Sequence, residues 1–212
     1  MIFHSRNHAA DLLIERLEGE GCVHPETIFM AVPRGAVPMT VRMARHFGCR
    51  MGIVLVKKIS HPHNKEYALG AVGLSAEVFD EDANRLTGEE RSRAVDEART
   101  LLRKRYDRFF GSIPPIRVTG APVIIVDDGI ATGATLEAAV KVLRTEQPSD
   151  IIIAAPVASR ESVQRLEQVA DRVIVLHTPD PFIAVGRFFE HFEEVTDDDV
   201  VATLRAARRP DA

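Results

Sequence analysis

Val123-Ile124-Ile125-Val126-Asp127-Asp128-Gly129-Ile130-Ala131-Thr132-Gly133-Ala134-Thr135 is the stretch on which the fold turns. Its apolar residues read as a buried strand that ends in two adjacent carboxylates. A short loop with two glycines and two threonines follows, and a helical pattern runs from Thr135 to Arg144. In an open α/β sheet, ligands bind beyond the carboxyl ends of the strands. A helix start offers unpaired backbone N–H groups and the positive end of a dipole, which suits phosphate. Gly129 and Gly133 let the backbone approach closely, and Thr132 and Thr135 supply hydroxyl donors. The strand-end carboxylates suit sugar hydroxyls or a magnesium ion. Acid pair and phosphate cup together fit a phosphorylated ribose. The stretch lacks the Gly-Lys-Ser/Thr of a Walker A loop and the glycine spacing of a dinucleotide fingerprint.

Outward from this stretch, apolar runs alternate with helical patterns. Ile28 to Val32, Met51 to Val56, Ile151 to Ala155 and Val173 to Leu176 read as further strands. Their continuous apolar character points to burial on both faces, as in a parallel sheet. A helical pattern over Val37, Val41, Met43, Ala44 and Phe47 stops at Gly48, and another covers Glu161 to Val169. The expected fold is α/β, with a doubly wound, mostly parallel sheet. Thr87 to Phe110 reads as a long outer helix, opened by a Thr87/Glu90 capping box and stopped at Gly111. Pro114-Pro115 marks a linker. Ile59 to Val78 reads as a loop with a short strand or hairpin. Thr196 and Asp199 again have capping-box spacing, before a last helix over Val200 to Ala207 and a frayed tail at Arg208 to Ala212. One domain, 1–212, is expected, with its core at about 25–180.

The 212 residues carry 45% hydrophobic and 27% charged side chains, ordinary for a globular chain. Lys+Arg 27 against Asp+Glu 31 gives a net charge of −4, which disfavours a nucleic-acid-coating protein. Arg99, Arg103, Lys104, Arg105 and Arg108 are interspersed with Glu97 and Asp107, as on a solvated helix face. The two cysteines, Cys22 and Cys49, exclude a disulfide framework and a four-cysteine zinc site. No apolar run approaches a membrane span, and Met1 to Arg6 has no signal-peptide stretch, so the cytoplasm is the expected compartment.

The 123–135 stretch resembles the phosphoribosyl diphosphate (PRPP) binding motif of type I phosphoribosyltransferases: apolar residues, two acidic residues, then Thr-Gly-x-Thr. The resemblance extends as architecture over about 25–180. It is nearest to an uncharacterised subgroup of that family with an Ala-x-Pro-Arg-Gly loop and an aromatic C-terminal stretch. It implies transfer of a 5-phosphoribosyl group from PRPP to a nitrogen acceptor, a nucleobase or related compound, with release of pyrophosphate. Nucleotide metabolism would be the setting and Mg²⁺, bound mainly through substrate and water, the cofactor. Asp127 and Asp128 would contact the ribose hydroxyls, and Ala131, Thr132, Gly133, Ala134 and Thr135 would hold the 5′-phosphate. Pro33, Arg34 and Gly35, with Lys57 and Lys58, would meet the pyrophosphate. Asp127, Asp128 and Arg34 are thus the candidate catalytic residues. A variable hood, drawn from the N-terminal and C-terminal segments, would select the acceptor. The resemblance also favours a homodimer.

Other readings stay open beside these. Lys57 and Lys58 also fit a charged strand end in solvent. The loop from Ile59 to about Leu74 sits where the family carries its catalytic lid, with His61, His63, Lys65 and Glu66 as lid candidates, yet no motif assigns them. The pairs His4/His8 and His61/His63 lack a third ligand at metal-site spacing and read as solvent-exposed. No cysteine has an evident histidine partner, so a thiol nucleophile is not expected. Phe182, Phe188, Phe189 and Phe192 crowd one short stretch. Core packing outweighs stacking on a base for any one of them, and Phe182 is the best stacking candidate. The rival to catalysis is a regulator that senses PRPP or a nucleotide on the same fold.

Overall fold

In the computed structural model the chain is described over residues 1–61, 64–80, 82 and 86–207, with backbone alone at 61 and 64–68. The elements run α1 (Arg6–Glu20), β1 (Ile28–Ala31), α2 (Ala36–Phe47), β2 (Arg50–Ile53), β3 (Lys57–His61), β4 (Asn64–Val72), β5 (Glu77–Phe79) and α3 (Gly88–Phe110). They continue as β6 (Pro122–Val126), α4 (Ala134–Arg144), β7 (Asp150–Val157), α5 (Arg160–Leu166), β8 (Arg172–His177) and α6 (Asp197–Ala207).

Five strands form a parallel sheet in the order β2-β1-β6-β7-β8. The period of two sends successive side chains to opposite faces. Phe29, Ala31, Ile124, Val126, Ile152 and Ala154 face one core with α1 and α2. Ile28, Met30, Val123, Ile125, Ile151 and Ile153 face another, under Leu136, Ala139, Val140 and Leu143 of α4 and Leu166 of α5. Helices on both faces leave the central strands no solvated side, which is why their sequence is continuously apolar.

From β1 the chain winds outward to β2 at one edge, and from β6 it winds to β7 and β8 at the other. The order reverses between β1 and β6, which pair from Ile28↔Val123 to Ala31↔Val126. A crevice opens beyond the strand ends at such a reversal. The backbone bond from Val32 N–H to the Val126 carbonyl, 2.9 Å, holds the two following loops side by side.

Several expectations need correction. Helix α1, a segment to which the sequence reading assigned no element, precedes β1, with Ser5 accepting from the His8 amide and Gly21 closing it at φ 59°. The second strand ends at Ile53; Val54 and Leu55 are buried in the link rather than in the ladder. Lys57 and Lys58 therefore begin β3 instead of ending the second strand. The single short strand or hairpin expected after Ile59 is an antiparallel sheet, β3-β4-β5. It packs on α3 and α4, with Ala71 meeting Ala138 and Val142. Helix α5 stops at Leu166, short of Val169, and α6 starts at Asp197. The outer helix has the expected reciprocal Thr87/Glu90 box and ends at Gly111. The frayed tail, His63 and the side chains of His61, Lys65 and Glu66 lie outside the described residues. No described helix is long and apolar enough to cross a membrane.

Candidate active site

Two clefts open at the reversal, and the adjacent carboxylates divide them. Asp127 lines a cleft of ≈ 180 Å³ with Gly129, Ile130, Ala131, Thr132, Gly133 and Thr135. Asp128 lines one of ≈ 520 Å³ with Arg6, Arg34, Gly35, Val185, Phe192, Glu193, Glu194 and Val195.

The first cleft is built by the loop between β6 and α4. Ile130 is buried and anchored by its N–H to the Val157 carbonyl, 2.8 Å. The next carbonyl, Ala131, is turned onto α5, where Ser159 Oγ and Ser162 Oγ donate to it at 2.9 and 2.6 Å. Gly133, at φ 71°, takes the left-handed turn that starts α4. Among the described residues no intrachain acceptor accompanies the N–H groups of Ala131, Thr132, Gly133 or Thr135. Ala131, Thr132 and Thr135 are exposed. Open amides at a helix start form a ready anion cup.

At the strand end, the Asp128 amide donates to Asp127 Oδ1 at 2.8 Å. Asp127 keeps some surface in its cleft, but protein packs densely around the carboxyl. Burial first, and then the Asp128 charge, push its pKa up to about 8. Asp128 Oδ2 accepts from Arg6 Nε at 2.8 Å.

The second cleft takes its opposite wall from the loop after β1. The Pro33–Arg34 peptide is cis. Arg34 is half-exposed; its Nη2 donates to Glu194 Oε1, and its Nη1 lies 3.9 Å from Asp197 Oδ1. Gly35 packs directly on Asp128: a Cβ there would lie 1.8 Å from Oδ2.

The structure thus brings Asp127, Asp128, Arg34, Gly35 and the 131–135 loop to one place. It does not bring Lys57, Lys58 or Phe182 to either cleft. Both lysines are exposed at the start of β3. Phe182 stacks on Phe188, centroids 5.7 Å apart. The late phenylalanine in the cleft is Phe192, with Arg6 over its ring at 3.8 Å. Sequence reading missed Arg6 and the carboxylate partner of Arg34. His4 and His8 are exposed, as expected. The thiols of Cys22 and Cys49 are half-buried, and burial pushes both pKa values up, the opposite of a reactive thiol.

Fold and clefts together define an α/β protein with two clefts beyond the carboxyl ends of a parallel sheet. The chain belongs to the phosphoribosyl transferase family: the model of the phosphoribosyl transferase domain matches residues 4–186. A Mycobacterium tuberculosis protein provisionally named a phosphoribosyl transferase is 34% identical over 98% of this chain. The chain spans only 47% of that relative. The crystal structure of TT1426 from Thermus thermophilus superposes with a TM-score of 0.87 at 41% identity, covering 96% of this chain and 98% of that one. A hypoxanthine-guanine phosphoribosyltransferase from Bacillus anthracis shares the fold, with a TM-score of 0.50 at 17% identity over 86% of this chain and 85% of its own.

Proposed function

We propose that the chain transfers a 5-phosphoribosyl group from PRPP to a nitrogen acceptor, a nucleobase or related compound, and releases pyrophosphate. The observation that carries this reading is the pair of clefts meeting at Asp127 and Asp128, with open amides in one and the Arg34 guanidinium in the other. A ribose with phosphate at one end and diphosphate at the other spans such an arrangement.

In this reading the amides of 131–135 and the Thr132 and Thr135 hydroxyls hold the 5′-phosphate, away from the reacting carbon. Asp127 and Asp128 take the ribose hydroxyls. Arg34 exchanges Glu194 for the pyrophosphate, with Pro33 and Gly35 shaping its loop. As the bond from C1 to pyrophosphate breaks, positive charge grows on the sugar ring, as in other glycosidic cleavages. The Asp128 carboxylate offsets that charge, Asp127, protonated at neutral pH in the free protein, holds the ring through its hydroxyls, and Arg34 takes the negative charge of the leaving group. Placement and charge stabilisation suffice, with no protein nucleophile. The acceptor would lie against Phe192, Val185 and Val195. Lys57, Lys58 and Phe182 have no part in this assignment. The paired carboxylates are hard oxygen donors of the kind Mg²⁺ takes, and Mg²⁺ held mainly by substrate and water oxygens would offset pyrophosphate charge. A cytoplasmic setting and a homodimer belong to the same reading.

Titration calorimetry with PRPP and Mg²⁺ tests it, beside an Asp127→Asn/Asp128→Asn double variant. Heat of binding in the wild type that the folded variant loses supports the site. A folded wild type that binds no PRPP overturns it. A screen of nitrogen acceptors for pyrophosphate release then separates a transferase from a PRPP sensor.

A further inference from the structure

Arg6 opens α1, outside the parallel sheet, and every nitrogen of its guanidinium is committed. Nε and Nη2 both lie 2.8 Å from Asp128 Oδ2, and Nη1 donates to the Glu193 carbonyl at 2.8 Å. The guanidinium carbon sits 3.8 Å from the centroid of the Phe192 ring. The pair is largely withdrawn from water, with Arg6 13% and Asp128 17% exposed in their side chains. A Cβ on Gly35 would meet Arg6 Nη2 at 3.1 Å as well as Asp128, so the loop after β1 closes on the same pair. A withdrawn charge pair persists where its geometry is good and its remaining donors are satisfied. Here the one remaining nitrogen, Nη1, binds the carbonyl of Glu193 in the segment after β8.

We propose that Arg6 is a positioning residue of the site: it fixes the Asp128 carboxylate against the Arg34–Gly35 loop and ties α1 and residues 192–193 to it. The inference rests on the phosphoribosyl-transfer reading above. Arg6 acts through Asp128. A guanidinium is needed because the position demands three donors in a plane on an aromatic face, which an ammonium does not supply.

The experiment is a double-mutant cycle on PRPP affinity, read by calorimetry with Mg²⁺, with the unfolding midpoint of each variant measured alongside. Arg6→Ala is expected to weaken PRPP binding by about 10-fold or more, as when a buried charge pair loses one partner. Arg6→Lys recovers only part of the loss. Arg6→Ala/Asp128→Asn binds within about threefold of Asp128→Asn alone, because residues that act as a unit are not additive. Fully additive losses, or wild-type affinity in Arg6→Ala, would overturn the inference while leaving the site reading intact. Undiminished affinity in Asp128→Asn, or a folded wild type that binds no PRPP, would overturn the site reading and this inference with it. If Arg6→Ala does not fold, Arg6→Lys takes its place in the cycle, with the same test of additivity.

Discussion

Gly35 sits in ordinary right-handed backbone, φ −58° and ψ −32°, so any residue could adopt its conformation. What it supplies is room, since a methyl group there would lie 1.8 Å from Asp128 Oδ2 and 2.5 Å from its Cγ. Gly35→Ala is expected to cost about 1–3 kcal/mol in denaturant unfolding, the range for forced overpacking. PRPP binding should fall with it, because the displaced carboxylate is the one that Arg6 holds; unchanged affinity would show that the carboxylate moves without consequence. Asp127 makes a separate prediction with a definite sign. Its folded pKa of about 8 lies above that of an unfolded aspartate, so between about pH 4 and 8 the native state holds a proton that the unfolded state has lost. Stability then falls as pH rises across that window, by no more than about 1.4 kcal/mol per pH unit. Asp127→Asn removes this slope. Its stability relative to wild type, measured by urea unfolding at several pH values, should rise steadily from pH 5 to pH 8, and a flat difference would contradict the raised pKa.

At the scale of elements, the start of α5 supports the 131–135 loop through two hydroxyls, Ser159 at its cap and Ser162 in its first turn. Ser162 is 2% exposed and donates its hydroxyl to the Ala131 carbonyl. Ser162→Ala should cost about 1 kcal/mol of stability, the usual net worth of one hydrogen bond. It should also weaken PRPP binding several-fold, because the Ala131 carbonyl, left with the Ser159 hydroxyl alone, is held less firmly away from an anion; equal affinity in variant and wild type would refute that link. The parallel strands, β6 among them, were legible because burial on both faces writes an unbroken apolar run, whereas the loop after β6 was legible from its acidic pair, glycines and threonines. Burial, however, does not stop where pairing stops. Val54 and Leu55 continue the run past Ile53, which is why the start of β3 read as the end of β2. Helix α1 was missed although its buried stripe, Ala9, Ala10, Leu13, Ile14 and Leu17, has helical spacing. Two of the five are alanines, which mark a face weakly, and the clearer signs were the Ser5 cap and the Gly21 stop.

Over the whole molecule, the site draws on residues that local sequence cannot connect. Arg6 and Asp128 are 122 positions apart, and Arg34 and Glu194 are 160 apart. The motif gave Asp127, Asp128 and the cup, but nothing near Arg6 in the chain names its partner. The N-terminal segment meets the stretch between β8 and α6 through a short parallel bridge, Phe3↔Phe189. The Phe3 N–H donates to the Phe188 carbonyl at 2.8 Å, and the Glu190 N–H donates to the Phe3 carbonyl at 2.9 Å. Phe3 is fully buried, its ring 5.3 Å from that of Phe189, which in turn lies 4.8 Å from Phe192. A line of rings therefore runs from the N-terminal segment to the cleft wall. Phe3→Ala should cost about 3–5 kcal/mol and Leu102→Ala, on the outer helix, about 2–5 kcal/mol. Stability alone cannot tell the two variants apart, but binding can. At a temperature where both stay folded, Phe3→Ala should weaken PRPP binding because the 188–194 segment loses its anchor, whereas Leu102→Ala should leave it unchanged. Equal affinities in the two variants would mean that the clasp between Phe3 and residues 188–190 serves only to hold the fold.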